Sequence, residues 1–105
     1  MAGRATSGGV AVLADAPDGG VALHTNGKLQ FQNRSGIVSV ESGLKYIFVE
    51  LYGVTPTSMV MATVQRQTGG FFVKAAVPST GGFTIIINKA PASPETVKVA
   101  YLVLN

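Results

Sequence analysis

Short segments in which apolar and polar residues alternate recur along the whole chain of 105 residues. Gly, Pro and Asn separate these segments at intervals of about 8–12 residues, a spacing that is typical of all-β domains. No window keeps a helical apolar period for longer than one turn. The pattern therefore predicts an all-β fold, namely an antiparallel β-sandwich of about eight short strands that is preceded by an extended N-terminal arm.

The strongest strand segments lie in the later two thirds of the chain, where aromatic and β-branched residues suit the pleated surface of a sheet. They are predicted at 36–40, 44–51, 59–67, 71–77, 83–88 and 96–104. Weaker strands are predicted earlier, at 10–14, 21–25 and 28–32. The last two flank Asn26-Gly27, a dipeptide that favours a two-residue hairpin turn.

These segments suggest how the domain is organised. Residues 1–15 form the predicted arm, and residues 16–105 form the predicted sandwich domain. Within that domain, residues 16–33 are rich in Gly and weak in strand signal, so they are predicted as a peripheral hairpin. Residues 34–105 hold the strong strands and are predicted as the core.

The stretch 59–77 is predicted as a central β-hairpin, with Thr68-Gly69-Gly70 as its tight connection. Side chains on a strand point alternately to its two faces, and a half-buried strand should therefore be polar at every second position. The first strand of this stretch is instead apolar on both faces, with Val60, Ala62 and Val64 on one and Met59 and Met61 on the other. A second layer of the protein or another molecule must cover the outer face.

The composition agrees with a covered surface. Charged residues make up 12% of the chain, about half of the roughly 25% that is usual in soluble domains. We therefore expect a homo-oligomer, and the alternative is a soluble monomer rich in Thr, Ser, Asn and Gln. The predicted subunit interface consists of large apolar side chains on the outer strand faces: Tyr46, Phe48, Met59, Met61, Phe72, Leu102 and Leu104.

The charges argue against two classes of partner. The net charge is +3, but the eight cations are spread singly along the sequence, whereas nucleic-acid binding usually needs a clustered basic footprint. No nucleic-acid partner is expected. The longest apolar runs have only the length of a strand, so no transmembrane helix and no membrane partner are expected either. The chain has no cysteine, which excludes disulfides and thiolate chemistry.

No set of residues indicates catalysis or a cofactor. His24 is the only histidine and has no evident partner to orient it as a general base. The acids are isolated, and Asp15 and Asp18 flank a turn, where Asp commonly bonds to the backbone. Neither a metal site nor a cofactor site is predicted, and the chain is not expected to be an enzyme. The tyrosines Tyr46, Tyr52 and Tyr101 suit either a sugar-stacking platform or apolar packing.

Several segments of residues 34–104 carry a family resemblance. They are Arg34-Ser35-Gly36, the stretch SMVMATVQ at 58–65, VKAAVP at 73–78, FTIIINKA at 83–90 and VKVAYLV at 97–103. Together they resemble small β-sandwich domains in tail-fibre and other virion structural proteins of bacteriophages, particularly phages of actinobacterial hosts. A free-standing domain with a short arm is most similar to a capsid decoration, or cementing, protein.

The resemblance implies a non-enzymatic virion protein, a trimer that binds the major capsid protein or another virion protein. Its location would be the capsid surface or the tail, after synthesis in the host cytoplasm. Capsid contact would fall to the arm, through Arg4, Val10, Val12 and Leu13. The alternative is a tail-fibre-type receptor-binding or carbohydrate-binding module, which would bind its ligand with loops 53–58, 78–82 and 89–95 at one end of the sandwich.

Overall fold

The computed structural model describes residues 9–105. The chain divides into two units, Met1–Gln30 and Phe31–Asn105. In the first unit, residues 9–30 contain neither helix nor strand, and one turn is closed by the Gly20 amide, which donates to the Pro17 carbonyl oxygen at 2.8 Å.

The second unit is built from strands alone. No helix occurs in residues 9–105, which confirms the predicted all-β class. The strands are β1 (Ser35–Val40), β2 (Tyr46–Glu50), β3 (Met59–Val64), β4 (Val73–Ser79), β5 (Gly82–Ile87) and β6 (Val97–Leu104). Each lies on one of the strong strand segments of the sequence.

The strands form two antiparallel sheets of three strands each. Sheet 1 has the order β1-β6-β3, and sheet 2 has the order β2-β5-β4. Only β4 and β5 follow each other within one sheet, through the short turn at Thr80-Gly81. Every other connection leads from one sheet to the other.

The weaker strand predictions are wrong. The structure has six strands in its described part rather than about eight, because 10–14, 21–25 and 28–32 do not pair. Gly27 does adopt a positive φ of 119°, as a turn requires. A hairpin without a third strand or a covering layer is only marginally stable, however, and a local turn signal does not supply either.

The predicted hairpin over 59–77 is also wrong. β3 pairs with β6, and β4 pairs with β5, so the connection at 65–72 crosses between the sheets. Gly69 and Gly70 have φ values of 87° and 69°, which turn the chain but leave the pairing partner open. The pairing partners of β3 are distant in sequence, and a local turn signal does not specify them.

One hydrophobic core joins the two sheets in a sandwich-like arrangement. The inward positions of β5 and β6 contribute most of it, and Phe83, at the centre, meets Tyr101 edge to face with 5.0 Å between the ring centroids. The buried apolar residues are Val40, Val49, Val54, Phe83, Ile85, Ile87, Val97, Val99 and Val103. Alternate positions of the same strands therefore point away from the core.

Side-chain hydrogen bonds hold the 65–72 connection in place. The Asn88 side chain accepts from the Phe72 amide at 2.9 Å and donates to the Gly70 carbonyl oxygen at 3.0 Å. The Asn88 amide in turn donates to the Phe72 carbonyl oxygen at 3.1 Å. This segment thus enters β4 at a defined position beside the end of β5.

Candidate functional site

The outward side of sheet 1 is a largely apolar surface. Strand alternation produces it, because the positions that alternate with the inward-facing valines of β6 and β3 must point outward. Ile37, Met59 and Met61 are each more than half exposed there. The sheet 1 face is defined by Ile37, Met59, Met61, Ala100, Leu102 and Leu104.

The strand register makes this face continuous. Met61 lies opposite Leu102, and Met59 lies opposite Leu104 on the central strand. On the other side of β6, Ile37 lies opposite Ala100. Met61 and Leu102 also border a shallow depression of about 270 Å³. The face therefore combines exposed apolar side chains with a shallow depression.

The outward side of sheet 2 is apolar as well. The sheet 2 face is defined by Tyr46, Phe48, Ala75, Val77 and Ile86. Ile86 is flanked by Tyr46 on one neighbouring strand and by Ala75 on the other. Tyr46 and Phe48 are more than half exposed. Aromatic rings on an open sheet face are common in protein–protein contacts.

The predicted interface residues are divided between these two faces. Met59, Met61, Leu102 and Leu104 lie on the sheet 1 face, whereas Tyr46 and Phe48 lie on the sheet 2 face. Phe72 belongs to neither, since it is exposed in the 65–72 connection. Because the sheets pack through their inner sides, the structure presents two separate surfaces pointing away from each other. That these residues contact another subunit stays a prediction.

The sequence interpretation missed five members of these faces, and the two most exposed of them are Ile37 and Val77. Both are substantially exposed apolar residues at outward strand positions. A signal was present for Ile37, because it alternates with Gly36 and Val38 in a predicted strand. For Val77 the signal was obscured by the register shift between Val73 and Ala75, which changes the face on which later residues of β4 lie.

The residues of the predicted arm are only partly described. Val10, Val12 and Leu13 are exposed and lie outside any strand, and Arg4 is outside the described residues. Their contact with a capsid remains a prediction.

The residues that could act in catalysis or metal binding are dispersed. His24 is exposed in the first unit, and the acids of the second unit, Glu41, Glu50 and Glu95, are exposed on separate elements. Among residues 9–105 there is no group of three His, Cys, Asp or Glu side chains that could hold a metal ion. The same residues include no helix of the length and apolarity needed to cross a membrane.

The tyrosines do not form a common platform. Tyr101 packs on Phe83 in the core, Tyr46 lies on the sheet 2 face, and Tyr52, in the loop after β2, is 97% exposed. The predicted grouping of three loops is also wrong. Loops 53–58 and 78–82 are joined by the Gly81 amide, which donates to the Val54 carbonyl oxygen. Loop 89–95 follows the far end of β5 and lies at the opposite end of the sheets.

No protein family model, curated protein or solved structure matches this chain. The resemblance of residues 34–104 to phage structural domains therefore remains a prediction. The candidate site consists of the two outward sheet faces, and its chemistry is apolar contact.

Proposed function

We propose that this chain is a non-enzymatic virion structural protein, a small β-sandwich that assembles as a trimer and binds the surface of a phage shell. The observation that carries the proposal is the apolar outward face on each of the two sheets. An open face of this kind is stable in water only at a cost, and it commonly marks a protein–protein contact. The resemblance of residues 34–104 to phage structural domains supports the virion as the location of this assembly.

In this proposal the sheet 1 face lies at the three-fold axis. It bears the exposed side chains of Ile37, Met59 and Met61, and the flexible thioethers of methionine adapt well to a close-packed contact between subunits. Stable interfaces bury about 800 Å² on each partner. A three-stranded sheet face with few charges is a suitable surface for such a contact. The sheet 2 face and residues 10–13 are then left for the shell or for neighbouring molecules.

The first prediction concerns Met61, which lies opposite Leu102 at the centre of the sheet 1 face. Light scattering coupled to size exclusion should give the native protein about three times the 10.8 kDa mass of one chain. Met61→Lys should give a monomer, because burying an unpaired ammonium at the axis costs several kcal/mol. The matched control is Thr57→Lys, which adds the same charge at an exposed loop position and should remain trimeric.

Phe48→Lys separates the two faces in the same measurement. This variant should also remain trimeric, because Phe48 lies on the sheet 2 face. A native protein that is monomeric at micromolar concentration would overturn the trimer. Dissociation by Phe48→Lys with no effect of Met61→Lys would show that the subunits meet through sheet 2.

The second prediction concerns the virion itself. Particles purified by density gradient from the strain that carries the gene should contain the protein when their polypeptides are identified by mass spectrometry. Each site that the protein occupies on the particle should hold a multiple of three copies. Absence from intact particles, with the protein present in the lysate, would contradict the virion role.

One observation favours the alternative, a carbohydrate-binding module. The almost fully exposed ring of Tyr52 borders an open depression that Asn33, Arg34 and Ser35 also line. The Arg34 guanidinium is fixed there by donating to the Tyr52 carbonyl oxygen at 2.9 Å. An exposed ring beside amide, hydroxyl and guanidinium donors suits a saccharide. Binding on a glycan array that Tyr52→Ala abolishes would favour this function over shell decoration.

A further inference from the structure

Five of the six basic residues of the second unit lie at one end of its sheets. Antiparallel pairing brings the starts of β2, β4 and β6 next to the ends of β1, β3 and β5. The connections 41–45, 65–72 and 88–96 therefore lie at this same end, which we call the basic end. It carries Lys45, Arg66, Lys74, Lys89 and Lys98.

The charge of the unit is concentrated there. The basic end has these five cations and only two carboxylates, Glu41 and Glu95, which leaves a net charge of +3. Elsewhere in Phe31–Asn105, Arg34 and Glu50 balance each other. Cations that are spread singly along the sequence thus share one end of the fold.

An aromatic ring holds two of the cations in place. The Arg66 guanidinium carbon lies 5.1 Å from the centre of the Phe71 ring, and the Lys89 ammonium lies 5.0 Å from it. These are cation–π distances. A side chain at Gly69 would prevent this, since its Cβ would come within 2.6 Å of the Phe71 ring. Because the ring restrains the two side chains, a partner would lose less conformational freedom in binding them.

The lysines of this end have no carboxylate partner. Among residues 9–105 the ion pair is that of Arg66 with Glu95, at 3.0 Å. Lys45, Lys74, Lys89 and Lys98 are all exposed. An excess of exposed positive charge at one end favours a partner of opposite charge that approaches from solvent.

We propose that the basic end binds an acidic protein surface, one on which several Asp or Glu side chains lie close together. A protein suits this end better than a nucleic acid because the patch has mixed signs. Glu95 neutralises Arg66, the one guanidinium of the patch, and borders the same depression of about 300 Å³ as Lys98. A regular phosphate backbone would meet Glu41 and Glu95 as repulsive groups, whereas a protein surface offers cations to pair with them. This interaction does not require the proposed trimer, although Lys98 lies on the outward side of sheet 1 beside the proposed trimer contact, since it alternates with buried Val97 and Val99.

The experiment measures binding of a fluorescein-labelled peptide of ten glutamates by fluorescence anisotropy, with the full chain. Binding is expected at 50 mM salt and should weaken at least tenfold by 300 mM, because exposed charges are screened. Lys74→Gln/Lys98→Gln should weaken it about tenfold at 50 mM salt. The control is Thr55→Glu/Thr57→Glu, which lowers the net charge by the same two units at exposed positions of loop 53–58, at the opposite end of the sheets, and should change the affinity less than twofold.

Three results would overturn the proposal. One is the absence of peptide binding at 50 mM salt, and another is an equal loss of affinity in the two double variants, which would reflect net charge alone. The third is tighter binding of a labelled ten-nucleotide DNA than of the peptide, with the same dependence on Lys74 and Lys98, which would identify the end as a nucleic-acid surface. Circular dichroism and the measured subunit mass verify that each variant keeps its fold and its oligomeric state.

Discussion

Phe83→Ala is expected to lower the free energy of unfolding by about 3–5 kcal/mol, the usual cost of removing a buried phenylalanine ring. The Phe83 side chain is fully buried near the start of β5, where it contacts Tyr101 of the opposite sheet. Its removal leaves a cavity between the two sheets that neighbouring valines and isoleucines are too short to fill. Urea unfolding followed by circular dichroism measures the effect, at one protein concentration because oligomerisation contributes to stability.

Phe72→Ala is the matched control for this variant. The chemical change is identical, but Phe72 is 58% exposed in the 65–72 connection, so the expected loss is below about 1 kcal/mol. Equal losses in the two variants would contradict a core centred between the sheets. If Phe83→Ala fails to fold, Phe83→Leu should still unfold at a lower urea concentration than the native protein.

The second large effect is expected at Gly82, the first residue of β5. A Cβ atom at this position would meet the Val49 carbonyl oxygen of the adjacent strand and the Phe48 ring. The Phe48 ring can rotate away, but the carbonyl belongs to the backbone of β2, so the two strands must separate. Gly82→Ala should therefore cost about 3 kcal/mol, the upper part of the range for overpacking.

The neighbouring glycine provides the control. A Cβ at Gly81 would have open space around it, and the only penalty of Gly81→Ala comes from its φ of 85°. That penalty is about 1 kcal/mol. Thermal or urea unfolding of the two variants compares the stability lost through a steric clash, in Gly82→Ala, with the stability lost through backbone strain, in Gly81→Ala. A larger loss for Gly81→Ala than for Gly82→Ala would show that β2 and β5 are not packed as described.

The strands of the second unit were predictable because each one has a strong local signal. LKYIFVEL and FTIIIN combine β-branched and aromatic residues; the structure has β2 within the first and all but the first residue of β5 within the second. The segments at 10–14, 21–25 and 28–32 have weaker composition and no paired neighbour in the structure. A local pattern indicates that a segment is compatible with a strand, but only a partner makes it one.

The apolar outward positions were also predictable, although their arrangement was not. Alternation along 59–64 places Met59 and Met61 on the side opposite to Val60 and Ala62, and this is how β3 lies. Whether Met61 and Phe48 share one surface depends on which sheet each strand joins. The structure puts them on different faces. The residues of the predicted interface therefore lie on two surfaces, and substitutions on each surface test them separately.

The sequence by itself determined the all-β class, the positions of six strands and the surplus of apolar side chains beyond one core, because these follow from composition and from the two-residue period of a strand. Only the tertiary structure decided that β3 and β4 lie in different sheets, that the apolar residues form two faces, and that five cations lie at one end. Strand pairing joins residues that are far apart in the chain, and its outcome depends on the total surface buried by all six strands together.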